Sequence, residues 1–430
     1  MRYILRHAIY MVMLLSAALC ARGEITLEYC LDRADHNYPL IRQYGIVEKT
    51  TDLQLSDINK SWLPQASIYV QGTVQNVVPS FPDKLVGMME QLGEKMQGLG
   101  KLQYKVGVDL NQTIWDGGKS AARRESARAS LAADRASLDV GMYALRDRVQ
   151  SLFFGILLIQ EQIAQTEATL RLLESNLEHM RSLQRNGVAM PSDVDIVEAQ
   201  KLTVERQLTS ARGNATQYRR MLGVFIGEDI DDQQLARPDG AMPQDLTSDR
   251  PELHLFDARK ALNNSRLSAV KASVMPAIGL FAQAYYGYPG MDYFASMRNR
   301  DLSFNVLAGV KVSWNISSLY TRRNDIRRIT LANEAVDADR DKFLFDSGIA
   351  STGQLSEIET MRKVMADDER IAGLRANVRR AAESQLRNGV IDANDLLAKI
   401  TDENQANLTA AYHDIELLRL IYQLKNTLNR

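Results

Sequence analysis

Four short segments of the chain alternate between apolar and polar residues, which predicts β-strands over about 66–78, 102–115, 277–288 and 302–316. In the fourth segment, one predicted face holds Val306, Ala308, Val310, Val312, Trp314 and Ile316, and the other holds Gly309, Lys311, Ser313 and Asn315. Such alternation is typical both of a membrane-barrel strand and of an ordinary sheet with one solvated face. The alternation alone leaves both interpretations open.

A longer period follows the second strand. Leu131, Leu138, Leu145, Leu152 and Ile159 recur every seven residues, and the series resumes after Thr166 at Leu173 and Met180. A second heptad series contains Met142, Val149, Ile156, Ile163, Leu170 and Leu177. This predicts a coiled-coil-like helix over about 117–186, roughly 105 Å long at 1.5 Å per residue. A weaker heptad pattern at Ile371, Leu374, Val378 and Ala381 predicts a second long helix over about 317–388. Shorter helices are predicted at about 25–60, 193–225, 249–273 and 393–428.

Three landmarks recur in the same order along the chain. "SWLPQASIYVQG" (61–72) matches "SVMPAIGLFAQA" (273–284), "LNQTIWDGG" (110–118) matches "VKVSWNISS" (310–318), and both copies contain an Asn-Gly-Val followed by an Asp. We therefore predict two repeats, 24–226 and 253–430, joined by a surface connector, 227–252. The stretch from Trp314 to Gly389 is slightly longer than that from Trp115 to Gly187, so the second helix is expected to be locally overwound.

The first residues resemble a secretory signal peptide, predicted over 1–23. Positive residues precede the short apolar run 8–19, and Ala21-Arg22-Gly23 resembles a cleavage site. Cys20 raises the alternative of a lipoprotein, although Leu19 stands where a small residue normally precedes a lipidated cysteine. The mature chain then keeps only Cys30, which excludes an internal disulfide. No later segment has eighteen consecutive apolar residues, so no transmembrane helix is expected.

Composition and motifs argue against catalysis and against nucleic acid. The 430 residues carry a net charge of −1, which gives no basic footprint. The histidines are scattered without metal-ligand spacing, so neither a metal nor another cofactor is expected. Gly117-Gly118 is interpreted as a flexible passage from strand to helix. The sequence therefore predicts a protein that is not an enzyme.

The tryptophans favour the membrane interpretation of the strands. Trp62, Trp115 and Trp314 each fall at the helix-proximal end of a predicted strand, where an aromatic belt meets a membrane interface. Four strands cannot close a barrel, and an open edge in lipid leaves backbone groups without partners. A membrane sheet of this size must therefore be shared between copies of the chain.

These features together resemble the TolC-like outer-membrane efflux proteins. The resemblance rests on the repeat, the Pro-led strands, the "WDGGKSAAR" passage and the two "NGV…D" turns. It implies a mainly α fold with a small β part, and a homotrimer with one shared 12-stranded outer-membrane barrel continued by a periplasmic α-helical barrel. It also implies a periplasmic adaptor protein and an inner-membrane pump as partners, in a duct that exports small molecules or proteins.

Two other functions compete with this one. A standalone trimeric porin has no need of the long helices. A periplasmic coiled-coil structural protein has no need of alternating strands or of tryptophans at one level.

The resemblance also assigns roles to the two turns. Asp395 falls where family members carry an acid that narrows the tunnel, and Asp392, one turn earlier, is a second candidate for this constriction. Ala398 departs from members that have a further acid there. Asp193 lies on the matching turn and is equally well explained as an acid at a helix start. Asn186, Gly187, Val188, Asn388, Gly389 and Val390 match the adaptor-contacting tips, with positive φ expected at both glycines.

One loop has a pattern of its own. In 79–101 the residues Leu85, Met88, Met89, Leu92 and Met96 have helical spacing. This segment is either a short amphipathic helix or a mobile loop.

Overall fold

A computed structural model describes residues 24–94, 98–187, 189–388 and 390–430. The predicted signal peptide 1–23 with Cys20 lies outside the described residues, as do Met96, Val188 and Gly389. The fold is mainly α with a small β part, as predicted. Its strands are β1 (Gln65–Val74), β2 (Leu102–Trp115), β3 (Ala277–Tyr288) and β4 (Ser303–Ser313). Its helices are α1 (Leu27–Asn37), α2 (Ile41–Lys60), α3 (Asp83–Gln91), α4 (Lys119–Arg185), α5 (Pro191–Ile226), α6 (Pro251–Ser273), α7 (Tyr293–Asn299), α8 (Ser318–Met365), α9 (Asp368–Arg387) and α10 (Ala393–Leu428).

The four strands form one antiparallel sheet in the order β1-β2-β3-β4. The predictions for β2 and β3 are confirmed, whereas β1 and β4 are shorter than expected. The chain turns towards α8 directly after β4, with the N–H groups of Leu319 and Tyr320 bonded to the carbonyl oxygens of Ile316 and Ser317. Trp314 and Ile316 therefore lie beyond the strand and do not extend its apolar face.

Two predicted helices are interrupted. The helix expected over 25–60 divides because Tyr38, with φ −67° and ψ 130°, precedes Pro39. A residue before proline is disfavoured in the helical region. The helix expected over 317–388 is not continuous either, since Ala366 and Asp367 separate α8 from α9. The carbonyl of Asp367 then accepts from the N–H of Ile371 at 2.8 Å, which starts α9. The prediction of one continuous helix is thus wrong at this point, whereas the expected local overwinding stays a prediction.

The chain divides into two compact units. The sheet unit consists of Ile46–Arg135 and Phe256–Ala338. The helical unit consists of the described part of Met1–Gly45, Ala136–Leu255 and Asp339–Arg430. These units follow packing, whereas the predicted repeats 24–226 and 253–430 follow recurrence in the sequence, so that division stays a prediction.

The core of the helical unit uses the predicted heptad positions of α4. Leu145, Val149, Leu152 and Ile156 are buried in one cluster with residues of α1, α5 and α10. Leu173, Leu177 and Met180 are buried in a second cluster with α5, α9 and α10. Ile230 and Leu235, in the segment predicted as a surface connector, belong to the first cluster. Their burial was missed because isolated apolar residues among acids and prolines show no period.

The weaker heptad pattern of α9 has a different outcome. Ile371, Leu374 and Val378 are 47, 57 and 45% exposed. Ala382 and Leu386 supply the buried positions of this helix instead. The apolar stripe at 371, 374 and 378 therefore takes no part in the core of the single chain.

Candidate functional site

The sheet has one apolar and one polar face. Residues at even positions of β1 and β2 are apolar except Gln112, and register places them beside the even positions of β3 and β4. This apolar face is exposed and includes Ile68, Val70, Val106, Val108, Leu110, Leu280, Phe304, Val306, Val310 and Val312. Val70 is 82% exposed and Val310 is 67% exposed. The other face holds Ser67, Gln71, Lys105, Asp109, Gln283 and Lys311.

Both edges of this sheet are open within the described chain. β1 pairs only with β2, and β4 pairs only with β3. Each edge therefore presents a row of backbone N–H and C=O groups without a strand partner. In a single chain, the apolar face of the sheet is therefore exposed to solvent, and its two edge strands lack hydrogen-bonding partners on their outer sides among the described residues.

The three tryptophans lie at the same end of the sheet. Gln65, three residues after Trp62, pairs with Asn111 near the end of β2, and Trp115 pairs with Ile278. Ser313, next to Trp314, pairs with Ala277. The tryptophans are 61, 45 and 56% exposed in chain order, and the Nε1 of Trp314 donates to the carbonyl of Val274 at 2.9 Å. The predicted common level is thus present within the sheet unit.

Two cations that the sequence analysis missed lie beside this level. Lys119 and Arg123 line a cleft of about 420 Å³ together with Trp62 and Trp115. Bulky aromatic rings next to basic side chains are typical of a membrane interface. The sequence did contain a signal for this cleft, because Lys119 and Arg123 follow Trp115 at intervals of four residues.

Asp116 organises the passage from β2 to α4. Its carboxylate accepts from the backbone N–H of Gly118 at 2.9 Å and of Ser120 at 2.6 Å. Partial burial acts to raise the pKa of Asp116, but the hydrogen bonds from Ser120 and Gly118 outweigh it and lower this pKa. Gly117 has φ +71°, and a Cβ there would lie 2.6 Å from the Cβ of Met275. The passage from strand to helix is therefore a hydrogen-bonded, closely packed turn, and not the flexible passage that the sequence predicted.

The predicted tips lie at the ends of the two helix hairpins. Gly187 has the expected positive φ, +74°, after α4. Asn186 and Asn388 are exposed, and Val390 is 69% exposed. Met190, which the sequence analysis missed, is also 69% exposed. The second cluster described above packs the two hairpins together just behind these ends.

The acids of the two turns differ in what their carboxylates hold. Asp392 is the N-cap of α10, and its Oδ1 accepts from the backbone N–H of Asp395 at 2.8 Å. Asp193 Oδ2 accepts from the N–H of Met190 at 2.9 Å, at the start of α5. Asp395 is exposed, and its carboxylate has no hydrogen bond or ion pair among the described residues. The structure brings Asp392 and Asp395 together, but only Asp392 caps the helix.

The loop between β1 and β2 contains the helix α3, which confirms the helical alternative for the part of 79–101 that holds Leu85, Met88 and Met89. Leu92 follows the end of this helix. The matching loop between β3 and β4 contains α7, which the sequence analysis did not predict. Phe81, which precedes α3, and Phe294, in the first turn of α7, stack with ring centroids 5.9 Å apart. The two loops thus contact each other.

Neither a metal cluster nor a membrane-spanning helix is found among the described residues. No group of three or more His, Cys, Asp or Glu side chains in this part of the chain is arranged to hold a metal ion. None of the described helices combines the length and the apolar character needed to cross a membrane.

Comparisons with known proteins agree with this architecture. Residues 61–228 match the family model described as outer membrane efflux protein. The fold is similar to the outer-membrane channel OprN, with a TM-score of 0.67 and 15% identity over 94% of this chain and 89% of that one. It is also similar to the outer membrane protein VceC from Vibrio cholerae, with a TM-score of 0.66 and 12% identity over 94% and 95% of the two chains.

A third solved structure is described as the open state of the MtrE outer membrane channel of Neisseria gonorrhoeae. It has a TM-score of 0.62 and 15% identity over 94% of this chain and 88% of that one. No curated protein sequence gives a significant match.

Proposed function

We propose that this chain, which belongs to the TolC-like outer membrane efflux proteins through its match over residues 61–228, is the outer-membrane channel of a tripartite export system. Proteins of this family are channels, and the chain is not an enzyme, as the sequence predicted. The proposal adds the position in the membrane, the assembly and the partners.

The exposed apolar face of the sheet carries the proposal. Burying apolar surface contributes roughly 25 cal/mol per Å², so ten large apolar side chains facing water would be costly. Strands of 10 to 14 residues suit the thickness of a bilayer when tilted. In our proposal this face contacts lipid, and Trp62, Trp115 and Trp314 form a girdle at the periplasmic interface.

The open edges require further copies of the chain. In lipid each unpaired backbone group costs several kcal/mol, so an open four-stranded sheet is not stable there. Three copies that pair β1 of one chain with β4 of the next produce a closed barrel of twelve strands. Two copies would give eight strands, which is also within the range of known membrane barrels. The choice of a homotrimer therefore rests on the family resemblance.

The hairpin ends are proposed as the adaptor-contacting surface in the periplasm. Asn186, Gly187, Asn388 and Val390 are exposed there, and Val188 and Gly389 complete the set by sequence. A passive duct couples no energy source, so an inner-membrane pump must drive export through it. The long helices α4, α8 and α9 are proposed to form the periplasmic tunnel between barrel and adaptor.

Asp395 is proposed as the main constriction residue of this tunnel. Its carboxylate is exposed and uncommitted among the described residues, whereas Asp392 is engaged as a helix cap. Three copies near the axis would attract cations and oppose anions. That MtrE has a structure named as an open state supports the idea that such channels also close.

Membrane fractionation tests the proposed location and assembly. The protein should sediment with outer membranes, require detergent for extraction, and run as a trimer that heat converts to a monomer on gels. Light scattering with correction for detergent should give three chains per particle. A monodisperse monomer in detergent-free buffer would contradict both the location and the trimer.

A further inference from the structure

Lys105 lies between two tyrosine rings on the polar face of the sheet, near the end that carries α3 and α7. Its Nζ is 5.6 Å from the ring centroid of Tyr69 and 5.3 Å from that of Tyr285. Both distances are within the range of cation–π attraction. A lysine side chain normally samples many rotamers, so this pair of rings restricts where the ammonium is found.

Two glycines make room for this arrangement. Gly107 pairs with both Tyr69 and Tyr285 in the sheet, and a Cβ at Gly107 would lie 2.8 Å from the Tyr69 hydroxyl and from the Tyr285 Cβ. Gly287 pairs with Lys105, and a Cβ there would lie 2.5 Å from the Lys105 Cβ. The tyrosines and the lysine can converge because these two positions have no side chain.

The ammonium of Lys105 has no carboxylate partner within 4.0 Å among the described residues. Asp109, two pleats away on the same face of β2, is engaged elsewhere. Its Oδ1 accepts from Gln283 Nε2 at 2.7 Å, and the same Nε2 lies 3.1 Å from the Tyr69 hydroxyl. The carboxylate of Asp109 is thus held by Gln283 and does not pair with Lys105, so the ammonium is available to an anion from solution.

A recess of about 270 Å³ opens beside this ammonium. Its lining combines amides and aromatic rings, namely Gln71, Gln75, Gln103, Tyr285, Tyr288 and Tyr293. Gln75 Nε2 already donates to Gln103 Oε1, and Gln103 Nε2 to the carbonyl of Gly100, so Gln71 is the lining side-chain amide without a hydrogen bond among the described residues. Amide N–H groups donate to carboxylate oxygens, and tyrosine rings provide flat walls. The combination suits a planar organic acid better than an inorganic ion, which would leave the ring surfaces unused.

We propose that this lysine recess binds a small aromatic carboxylate, with Lys105 pairing with the carboxylate and the tyrosines enclosing the ring. The recess lies within one chain, so binding itself does not depend on the trimer. That the recess lies inside the channel rests on the proposed function. In that location the recess binds one class of solute, small aromatic carboxylates, during export.

Saturation-transfer NMR of the detergent-solubilised full-length protein tests the binding, with benzoate as the probe. Lys105→Met should weaken benzoate binding roughly tenfold, equivalent to about 1.4 kcal/mol, and Lys105→Arg should retain it. Lys311→Met is the matched control, because Lys311 is the other lysine on this face but lies outside the recess. Benzyl alcohol, which has the ring without the charge, should bind more weakly than benzoate.

Three results would overturn the inference: unchanged benzoate binding in Lys105→Met, an equal loss in Lys311→Met, or equal binding of benzyl alcohol. If Lys105→Met does not assemble, Tyr285→Leu keeps the charge and removes one wall, and should also weaken binding. Planar-bilayer recordings separate this inference from the proposed function. Channels that conduct normally but show no benzoate binding in the NMR experiment would refute the recess alone, whereas a protein that forms no channel would refute the proposed function.

Discussion

At the level of single residues, the turn acids show how similar sequence positions acquire different roles. Asp193 and Asp395 both follow an Asn-Gly-Val and both lie in the first turn of a helix. Asp193 accepts from the N–H of Met190, the N-cap of α5, whereas at α10 the N-cap is Asp392, which accepts from the N–H of Asp395. The carboxylate of Asp395 is thereby left to act on something outside its own helix.

We therefore expect Asp395→Ala to reduce the cation selectivity of the channel in planar-bilayer recordings. Block by trivalent cations should weaken by roughly threefold to tenfold, because the proposed trimer loses three carboxylates from its constriction. The effect should be modest, since Ala398 supplies no second acid.

Asp193→Ala is the matched control for this ring. It should cost about 1 kcal/mol in capping of α5 and leave selectivity nearly unchanged. Equal selectivity and equal block in wild-type and Asp395→Ala trimers would mean that Asp395 is only an acid at a helix start and not a constriction residue.

Gly187 gives a second prediction at this scale. Its φ of +74° disfavours any side chain, but a Cβ there meets no atom within 4 Å. Gly187→Trp should therefore leave the trimer assembled and obstruct adaptor contact, which a drug- or protein-export assay in cells would show as lost export. Gly213→Trp, also in open space but in the middle of α5, should export normally. Normal export by Gly187→Trp would argue against an adaptor site at this tip.

Single residues were predictable wherever a local rule applied. The positive φ of Gly187 follows from a helix that must stop, and the level of the tryptophans follows from the ends of the strands. The hydrogen bonds that separate Asp392 from Asp395 were not predictable, because either acid can cap a helix and only coordinates show which one does. The position of Lys105 between the rings of Tyr69 and Tyr285 was not predictable either, because these residues belong to three different strands.

At the level of elements, the heptad of α9 shows the limit of periodicity. The pattern identified an apolar face correctly but could not say what covers it. In the single chain Ile371, Leu374 and Val378 remain exposed, while Ala382 and Leu386 pack against α10. An exposed apolar stripe on a helix is typical of a surface that another chain covers.

We expect this stripe to contact the neighbouring protomer. Leu374→Gln should lower the temperature at which the trimer converts to monomer on gels, because an apolar contact is replaced by a polar side chain. Arg380→Gln is a control on the same helix outside the stripe, and should leave that temperature nearly unchanged. A trimer whose heat stability is unaffected by Leu374→Gln would place the stripe in the tunnel wall or in solvent.

The interruptions of the helices also mark what periodicity misses. Pro39 was visible in the sequence, and the preference of its preceding residue for extended backbone explains the break at Tyr38. The break at Ala366 and Asp367 has no such local breaker. Directly after the interruption, Asp368 begins α9, and its Oδ2 lies 2.7 Å from Nδ1 of His413 in α10. Tertiary contacts of this kind can select a break where propensity alone would continue a helix.

At the level of the whole molecule, the proposed assembly depends on pairing between strands of different chains. The sheet has an even number of antiparallel strands, so β1 and β4 run in opposite directions and can pair as the existing neighbours do. Cysteines placed opposite each other on two paired strands are close enough to form a disulfide. The native Cys30 will not interfere, because it is buried and burial raises the pKa of its thiol to about 12.

A cysteine at Ser67 or Gln71 of β1, combined with one at Lys311 or Asn305 of β4, should therefore cross-link neighbouring chains in outer membranes under mild oxidation. Four combinations sample the unknown register between chains, and the best pair should give covalent dimers and trimers on non-reducing gels but nothing larger. Each single-cysteine variant should remain uncross-linked, as should Asn111→Cys with Lys311→Cys, because β2 is paired on both sides. A ladder that continues beyond three chains would indicate an open array, and no cross-link in any combination would refute pairing of β1 with β4.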